Sequence, residues 1–107
     1  MLTVKEERVI IMETINTNPE LFEKKADILK AISNPSRLCI VHSLYLNGVC
    51  NVSEMQNCLD KAQSTVSQHV SKLKAANIIS GERKGKEIYY SLKNEEVKEI
   101  VAIFFKE

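Results

Sequence analysis

Residues 51–76 read NVSEMQNCLDKAQSTVSQHVSKLKAA, and this stretch decides the fold. Asn51 and Glu54 have the spacing of a capping box, the Asn side chain taking the Ser/Thr role, ahead of Val52, Met55 and Leu59. That predicts a helix of two turns. Asp60-Lys61-Ala62 breaks it, and a longer helix follows over about 63–76. At 100° per residue Val66, Val70 and Leu73 fall within a narrow arc, the face a core requires. Short helix, tight turn and longer helix together make the helix-turn-helix pattern.

Downstream the period changes. Ile79-Ser-Gly-Glu-Arg83 and Glu87-Ile-Tyr-Tyr-Ser-Leu92 read as two strands joined by Lys84-Gly85-Lys86. Alternation puts Ile88, Tyr90 and Leu92 on one face, and the glycine lets the chain reverse. A cationic hairpin directly after a helix-turn-helix is a wing. Asn94, with Glu95 and Glu96 in the first turn, caps a last helix carrying Val97, Ile100, Val101, Phe104 and Phe105.

Upstream, Asn34-Pro35 opens a helix with Leu38, Val41, Leu44 and Tyr45 inward and Gly48 as its stop. Asn18-Pro19 opens another, whose apolar side holds Leu21, Phe22, Ile28, Leu29 and Ile32. Over about 4–16, Val4, Arg8, Ile11 and Ile15 recur at helical spacing, with Val9 and Met12 alongside. The fold class predicted is mainly α with a small β-hairpin wing. It is a winged helix-turn-helix of order α-α-α-α-β-β-α. No repeat, low-complexity tract or Gly/Ser linker divides the chain, so residues 1–107 are expected to form a single winged-helix domain.

The net charge of +1 becomes informative once it is divided along the chain. Residues 60–93 hold 7 basic and 3 acidic side chains, whereas 94–107 hold 2 basic and 4 acidic. From Lys61 through Gly81 there is no carboxylate. A basic block beside acidic ends suits a focused anion-binding surface; a merely solvated face would mix both signs.

Opposite the apolar arc of the longer helix lie Ser64, Gln68 and Ser71, with Thr65 and Lys72 on one edge and Ser67 and Lys74 on the other. Gln68 has the two-pronged amide that pairs with an adenine edge in the major groove, and Ser and Thr reach base edges or phosphates. Gln63, Ser64 and Thr65 occupy the helix N-terminus, where backbone N–H groups favour a phosphate. Arg83, Lys84 and Lys86 on the wing would neutralise the neighbouring backbone. Taken alone, Ser, Gln and Lys could simply solvate an exposed helix face. The turn before that face and the cationic hairpin after it favour double-stranded DNA as the partner. His69, at the edge of the buried arc, reads better as a hydrogen-bonded structural residue than as a base contact.

Ile32-Ser-Asn-Pro-Ser-Arg-Leu38, Val52-Ser-Glu-Met55, Gln63-Ser-Thr-Val-Ser-Gln-His-Val70, Lys72-Leu73 and Ile88-Tyr-Tyr-Ser-Leu92 resemble, in order and spacing, the ArsR/SmtB family of bacterial repressors. The resemblance covers about residues 26–105. It implies a homodimeric winged-helix repressor of a palindromic operator, whose first and last helices form the interface, with operator contacts from Gln63, Ser64, Ser67 and Gln68. Val4, Ile11, Ile15, Ile100, Val101, Phe104 and Phe105 would then be the dimer-interface residues.

Two departures from the family pattern stand out. Asp60, Lys61 and Ala62 replace the usual Gly, apolar residue and Ser before the recognition helix, so Asp60 is the candidate substitute cap. The residues flanking Val52 are Asn51 and Ser53 where many metal-responsive relatives have cysteines, and Cys50 lies one place too early. The last helix offers Asn94, Glu96 and Glu107, a poor set for zinc, which prefers imidazole and thiolate in a closed shell.

No metal site and no cofactor are therefore expected. Cys39 and His42 form an i, i+3 pair that could begin a metal site, and Cys39, Cys50 and Cys58 are candidate redox thiols; the bland alternative is that the cysteines act as small buried hydrophobes. A thiol-based or sulfur-responsive repressor and a winged-helix protein-interaction module are the competing readings. With two histidines, no Gly-rich phosphate loop and no nucleophile-base string, an enzyme is not indicated. Three cysteines, no apolar leader and no run approaching ~18 apolar residues point to a cytoplasmic protein without a membrane partner.

Overall fold

Asparagine caps set the helix boundaries in a computed structural model that describes residues 9–106. Asn18 accepts from the backbone of Leu21 and starts α1, Pro19–Ile32; Asn34 accepts from Arg37 and starts α2, Pro35–Asn47. In both, proline fills the first helical position, where its missing N–H costs nothing. Gly48, at φ 84°, ends α2 with its N–H on the Leu44 carbonyl. Asn51 and Glu54 form a complete capping box on α3, Val52–Leu59. Asn94 caps the last helix, α5, Glu95–Phe104.

The helix between, α4, spans Gln63–Ala75. It ends in a Schellman motif that the sequence reading did not anticipate. Asn77 sits in the left-handed region at φ 59°, its N–H reaches the Lys74 carbonyl at 3.0 Å, and the Ile78 N–H reaches the Leu73 carbonyl at 3.0 Å. Leu73 and Ile78, both fully buried, supply the apolar contact that accompanies this motif. The turn aims the chain straight into β1, Ile79–Lys84, which pairs antiparallel with β2, Glu87–Leu92. Gly85 takes the first loop position at φ 65°, as a two-residue hairpin turn requires. The backbone of Cys50 adds a one-residue bridge to Tyr90 on the free edge of β2.

The order is α-α-α-α-β-β-α, the winged helix-turn-helix expected. All elements meet in one core. Ile28 and Ile32 of α1, Ile40, Val41 and Leu44 of α2, Met55 of α3 and Val66, Val70 and Leu73 of α4 close over Tyr90, Leu92, Val97 and Val101. Each fully buried aliphatic side chain contributes about 1.5–3 kcal/mol, so the arc of α4 is anchored by several times that.

Four local expectations need correction. Residues 9–14 form no helix, 15–16 belong to a turn, and Val9, Ile11, Met12 and Ile15 are exposed; residues 4–8 of the 4–16 stretch, Val4 included, lie outside the described residues. A chain segment with apolar side chains but nothing to pack against gains little from helix formation. Leu21, Phe22 and Leu29 are exposed on α1, which buries only Ile28 and Ile32, and Tyr45 points outward from α2. Asp60 does not cap α4. It ends α3 in the left-handed conformation at φ 52°, and Ala62 stands at the α4 N-cap with no side-chain hydrogen bond. Val101 is fully buried within the chain's own core, because Val97 and Val101, four residues apart, form the inward stripe of α5.

Candidate nucleic-acid interface

With Val66, Val70 and Leu73 inward, α4 presents Gln63, Ser64, Gln68, Ser71 and Lys72 exposed, and Thr65 and Ser67 half-buried at the edges of that face. Every one of these carries a hydrogen-bonding group and none is an acid. The N-terminus of α4 is electrostatically open as well. Val66 N–H is the first to find an intrahelical acceptor, at the Ala62 carbonyl, and no side chain caps the turn before it. The amide groups of Gln63, Ser64 and Thr65 therefore point outward unsatisfied, at the positive end of the helix dipole. The missing cap leaves an anion-binding turn.

His69 lies half-buried on the flank of this face. Its Nδ1 is 3.3 Å from a terminal nitrogen of Arg37, whose Nε donates to the Ala31 carbonyl at 2.6 Å. Guanidinium has only donors, so this hydrogen bond requires Nδ1 to accept, as it does in a neutral imidazole with its proton on Nε2. Burial, then the charges of Arg37, Lys72 and Lys61, holds the histidine below its ordinary 6.5.

The wing is less uniform than its sequence suggested. Ladder partners share a face of the hairpin, so Arg83, opposite Ile88, projects on the side of Tyr90 and Leu92. Lys84 projects to the other side, opposite Glu87 and two residues from Glu82, with its Nζ 6.0 Å from the Tyr89 ring. The acids of the wing thus accompany Lys84, while Arg83 has none on its own face. Lys86 occupies the exposed turn.

The cysteines differ from one another. Cys58 is exposed, Cys39 half-buried and Cys50 buried, with the Cys50 thiol pushed up by burial, then by Glu54 and Cys58. The His42 ring stacks on Phe105 at 4.0 Å between centroids. Among the described residues no three His, Cys, Asp or Glu side chains come together as a metal shell, and no helix is long and apolar enough to cross a membrane.

At the far end of the fold, Ile103 and Phe104 are about 70% exposed, and Phe105 is 41% exposed on its His42 stack. Ile100 is half-buried against the core. Ile103 is not among the apolar positions expected on this helix, Val97, Ile100, Val101, Phe104 and Phe105, and no signal in its spacing sets it apart.

Comparison with known proteins places this geometry. The bacterial regulatory protein family of arsR type matches residues 34–80, from the α2 cap to the first wing strand. The transcriptional repressor PagR of Bacillus anthracis is 40% identical over 81 residues, covering 76% of this chain and 81% of that protein. The PagR crystal structure superposes with a TM-score of 0.72 at 38% identity, over 78% of this chain and 95% of that one. NolR from Sinorhizobium fredii superposes with a TM-score of 0.77 at 34% identity, over 88% of this chain and 93% of NolR.

Proposed function

Since this chain belongs to the arsR family of bacterial regulatory proteins, and is a DNA-binding transcriptional repressor rather than an enzyme, we propose that it acts as a homodimer on a palindromic operator. In this reading residues 1–107 work as one winged-helix DNA-binding unit. Helix α4 enters the major groove, with Gln68 and its serine neighbours against base edges, and the wing lies along the backbone. The observation that carries the reading is the exposed, carboxylate-free face of Ser64, Gln68 and Ser71 above an uncapped helix N-terminus.

A dimer is supported by Ile103 and Phe104, large apolar side chains that the chain's own core leaves in water, and by the exposed Val9, Ile11, Met12 and Ile15. Two-fold pairing would set two copies of α4 about one helical turn of DNA apart, which is why a palindrome is the expected target. Control by a divalent metal is not part of the proposal. Asn51, which flanks Val52, is committed to the α3 capping box, and the His42 ring is committed to Phe105.

The test is binding to a palindromic duplex selected from a random pool, against a scrambled duplex of equal length, over a range of salt. Tighter binding to the palindrome, with affinity falling steeply as salt rises, is the expected result. Equal, weak binding to both, together with capture of an acidic protein partner, would favour an interaction module instead.

A further inference from the structure

Helix α4 is held from below by apolar contacts and from one side by a polar bridge. The apolar contacts of Val66, Val70 and Leu73 fix which face of the helix is buried, and a directional polar contact at the edge of that arc can trim its roll within the packing. Thr65, His69, Lys72 and Ala76 form the stripe that turns toward α1 and the start of α2, where Lys72 and Ala76 line one hollow with Asp27, Lys30, Ala31 and Arg37. There the Arg37 guanidinium joins three helices. Its Nε holds the Ala31 carbonyl in the last turn of α1, its own backbone stands in the first turn of α2, and a terminal nitrogen reaches His69 in the middle of α4. A hydrogen bond is directional, and the planar fork of Arg can serve two acceptors at fixed angles.

We infer that Arg37 and His69 are a positioning pair that sets the roll of α4, and so the direction in which the adjacent Gln68 meets a base, for as long as His69 Nδ1 remains an acceptor. The inference rests on α4 being the reading helix. Protonating Nδ1 removes the acceptor and sets an imidazolium against a guanidinium. Lys72 on α4, Lys61 in the turn before it and Lys30 on α1 add to the unfavourable charge; Asp27 is the one carboxylate lining the hollow. The bridge is therefore closed at neutral pH and opens in acid, below the ordinary histidine value.

The deciding quantity is sequence preference, the ratio of affinities for the selected palindrome and its scrambled duplex at fixed salt. It is measured from about pH 8 to about pH 5, with circular dichroism confirming the fold at each point. Wild type should lose about tenfold of its preference toward the acid end, the discrimination of one base-edge pair. His69→Gln, which offers a carbonyl acceptor that does not titrate, should keep its preference across the range. Arg37→Lys should show the lower preference at every pH.

Identical pH profiles for wild type and His69→Gln would overturn the inference. So would tighter acid binding to both duplexes at constant ratio, the mark of a protonated His69 acting on phosphate. Gln68→Ala separates the layers. If it abolishes preference while the Arg37 and His69 variants do nothing, only the positioning pair fails; if it too does nothing, the reading of α4 fails and takes the pair with it.

Discussion

Cys50 and Tyr90 exchange both backbone hydrogen bonds, the Cys50 N–H reaching the Tyr90 carbonyl at 3.1 Å and the Tyr90 N–H reaching the Cys50 carbonyl at 2.8 Å. The residue just ahead of the helix-turn-helix is thereby pinned to the inner strand of the wing. The Cys50 side chain is buried in the core, and burial, with Glu54 and Cys58 nearby, favours its neutral thiol well past neutral pH. Since the thiolate is the nucleophile, Cys50 should be inert. Peptide mass spectrometry after a short iodoacetamide pulse should find Cys58 modified first, Cys39 more slowly and Cys50 last. Modification of Cys50 as fast as Cys58 would mean that the bridge opens readily.

Gly81 faces Tyr90 across the hairpin, and a Cβ there would lie 2.8 Å from both the Ile88 Cγ2 and the Tyr90 Cε1. The Tyr90 ring is buried and cannot swing clear without disturbing the core. Gly81→Ala should cost about 1–3 kcal/mol through overpacking, seen as a Tm several degrees lower in thermal unfolding. An unchanged Tm would show that the hairpin relaxes at no cost.

Caps and core arcs were legible in the sequence because each is written in a few neighbouring residues. Asn34-Pro35, the Asn51–Glu54 pair and the Val66, Val70, Leu73 spacing all led to the elements found. What was not legible depended on distant partners. The end of α4 turned on Asn77 taking a left-handed conformation, which its residue type permits but does not announce. Val101 and Ile103 could be sorted between core and surface only once α5 had a floor to lie on. The place of His69 at the edge of the buried arc is legible, whereas its partner Arg37, 32 positions away, carries no local mark. The wing's cations were visible, and their division between two faces was not.

That division yields a prediction about the DNA surface. Gln68→Ala should relax base preference, a loss of ~1–3 kcal/mol of discrimination, because Gln68 points away from the core at the centre of the α4 face. Arg83→Ala and Lys84→Ala should weaken binding to every duplex alike, each lowering the salt slope by about one. The Arg83 loss should be the larger, since Glu82 and Glu87 share a face with Lys84 and already offset its charge. Competition binding with point-substituted duplexes at several salt concentrations reads both effects. A specificity profile untouched by Gln68→Ala would mean that α4 meets the groove in another register.

The exposed end of α5 makes the assembly testable. Phe104 is 72% exposed in a single chain and contributes nothing visible to its core, so Phe104→Asp should leave the monomer folded. It should also bury a carboxylate in the proposed interface, a cost of several kcal/mol unless paired. Light scattering should give twice 12.1 kDa for the wild type and 12.1 kDa for the variant. The variant's affinity for the palindrome should fall toward its affinity for a single half-site. A wild-type monomer under these conditions would remove the basis of the palindromic proposal.

The last prediction concerns control: operator binding should be indifferent to divalent metal. An effector shifts a two-state protein only by the difference in its affinity for the two states, and a metal acquires that difference through a shell that is complete in one of them. Here the potential ligands are dispersed and engaged. Asn51 caps α3, Cys50 is held at the wing bridge with its thiol neutral, and the His42 ring is stacked on Phe105. Cys58 is exposed, the one thiol of the three that an oxidant reaches freely, but it lies in the last turn of α3 outside the core, so its oxidation should displace no packed group. Titration with zinc, cadmium and arsenite should therefore leave operator affinity unchanged. Peroxide should modify Cys58 with an effect no larger than about twofold, and Cys58→Ser should remove even that, as befits a surface change worth about 0.5 kcal/mol or less. Release of DNA by a stoichiometric metal would require α3 or α5 to rearrange on binding it. Release by peroxide that persisted in Cys58→Ser would place the reactive thiol at Cys39 or Cys50, and in the latter case the Cys50–Tyr90 bridge would itself be the switch.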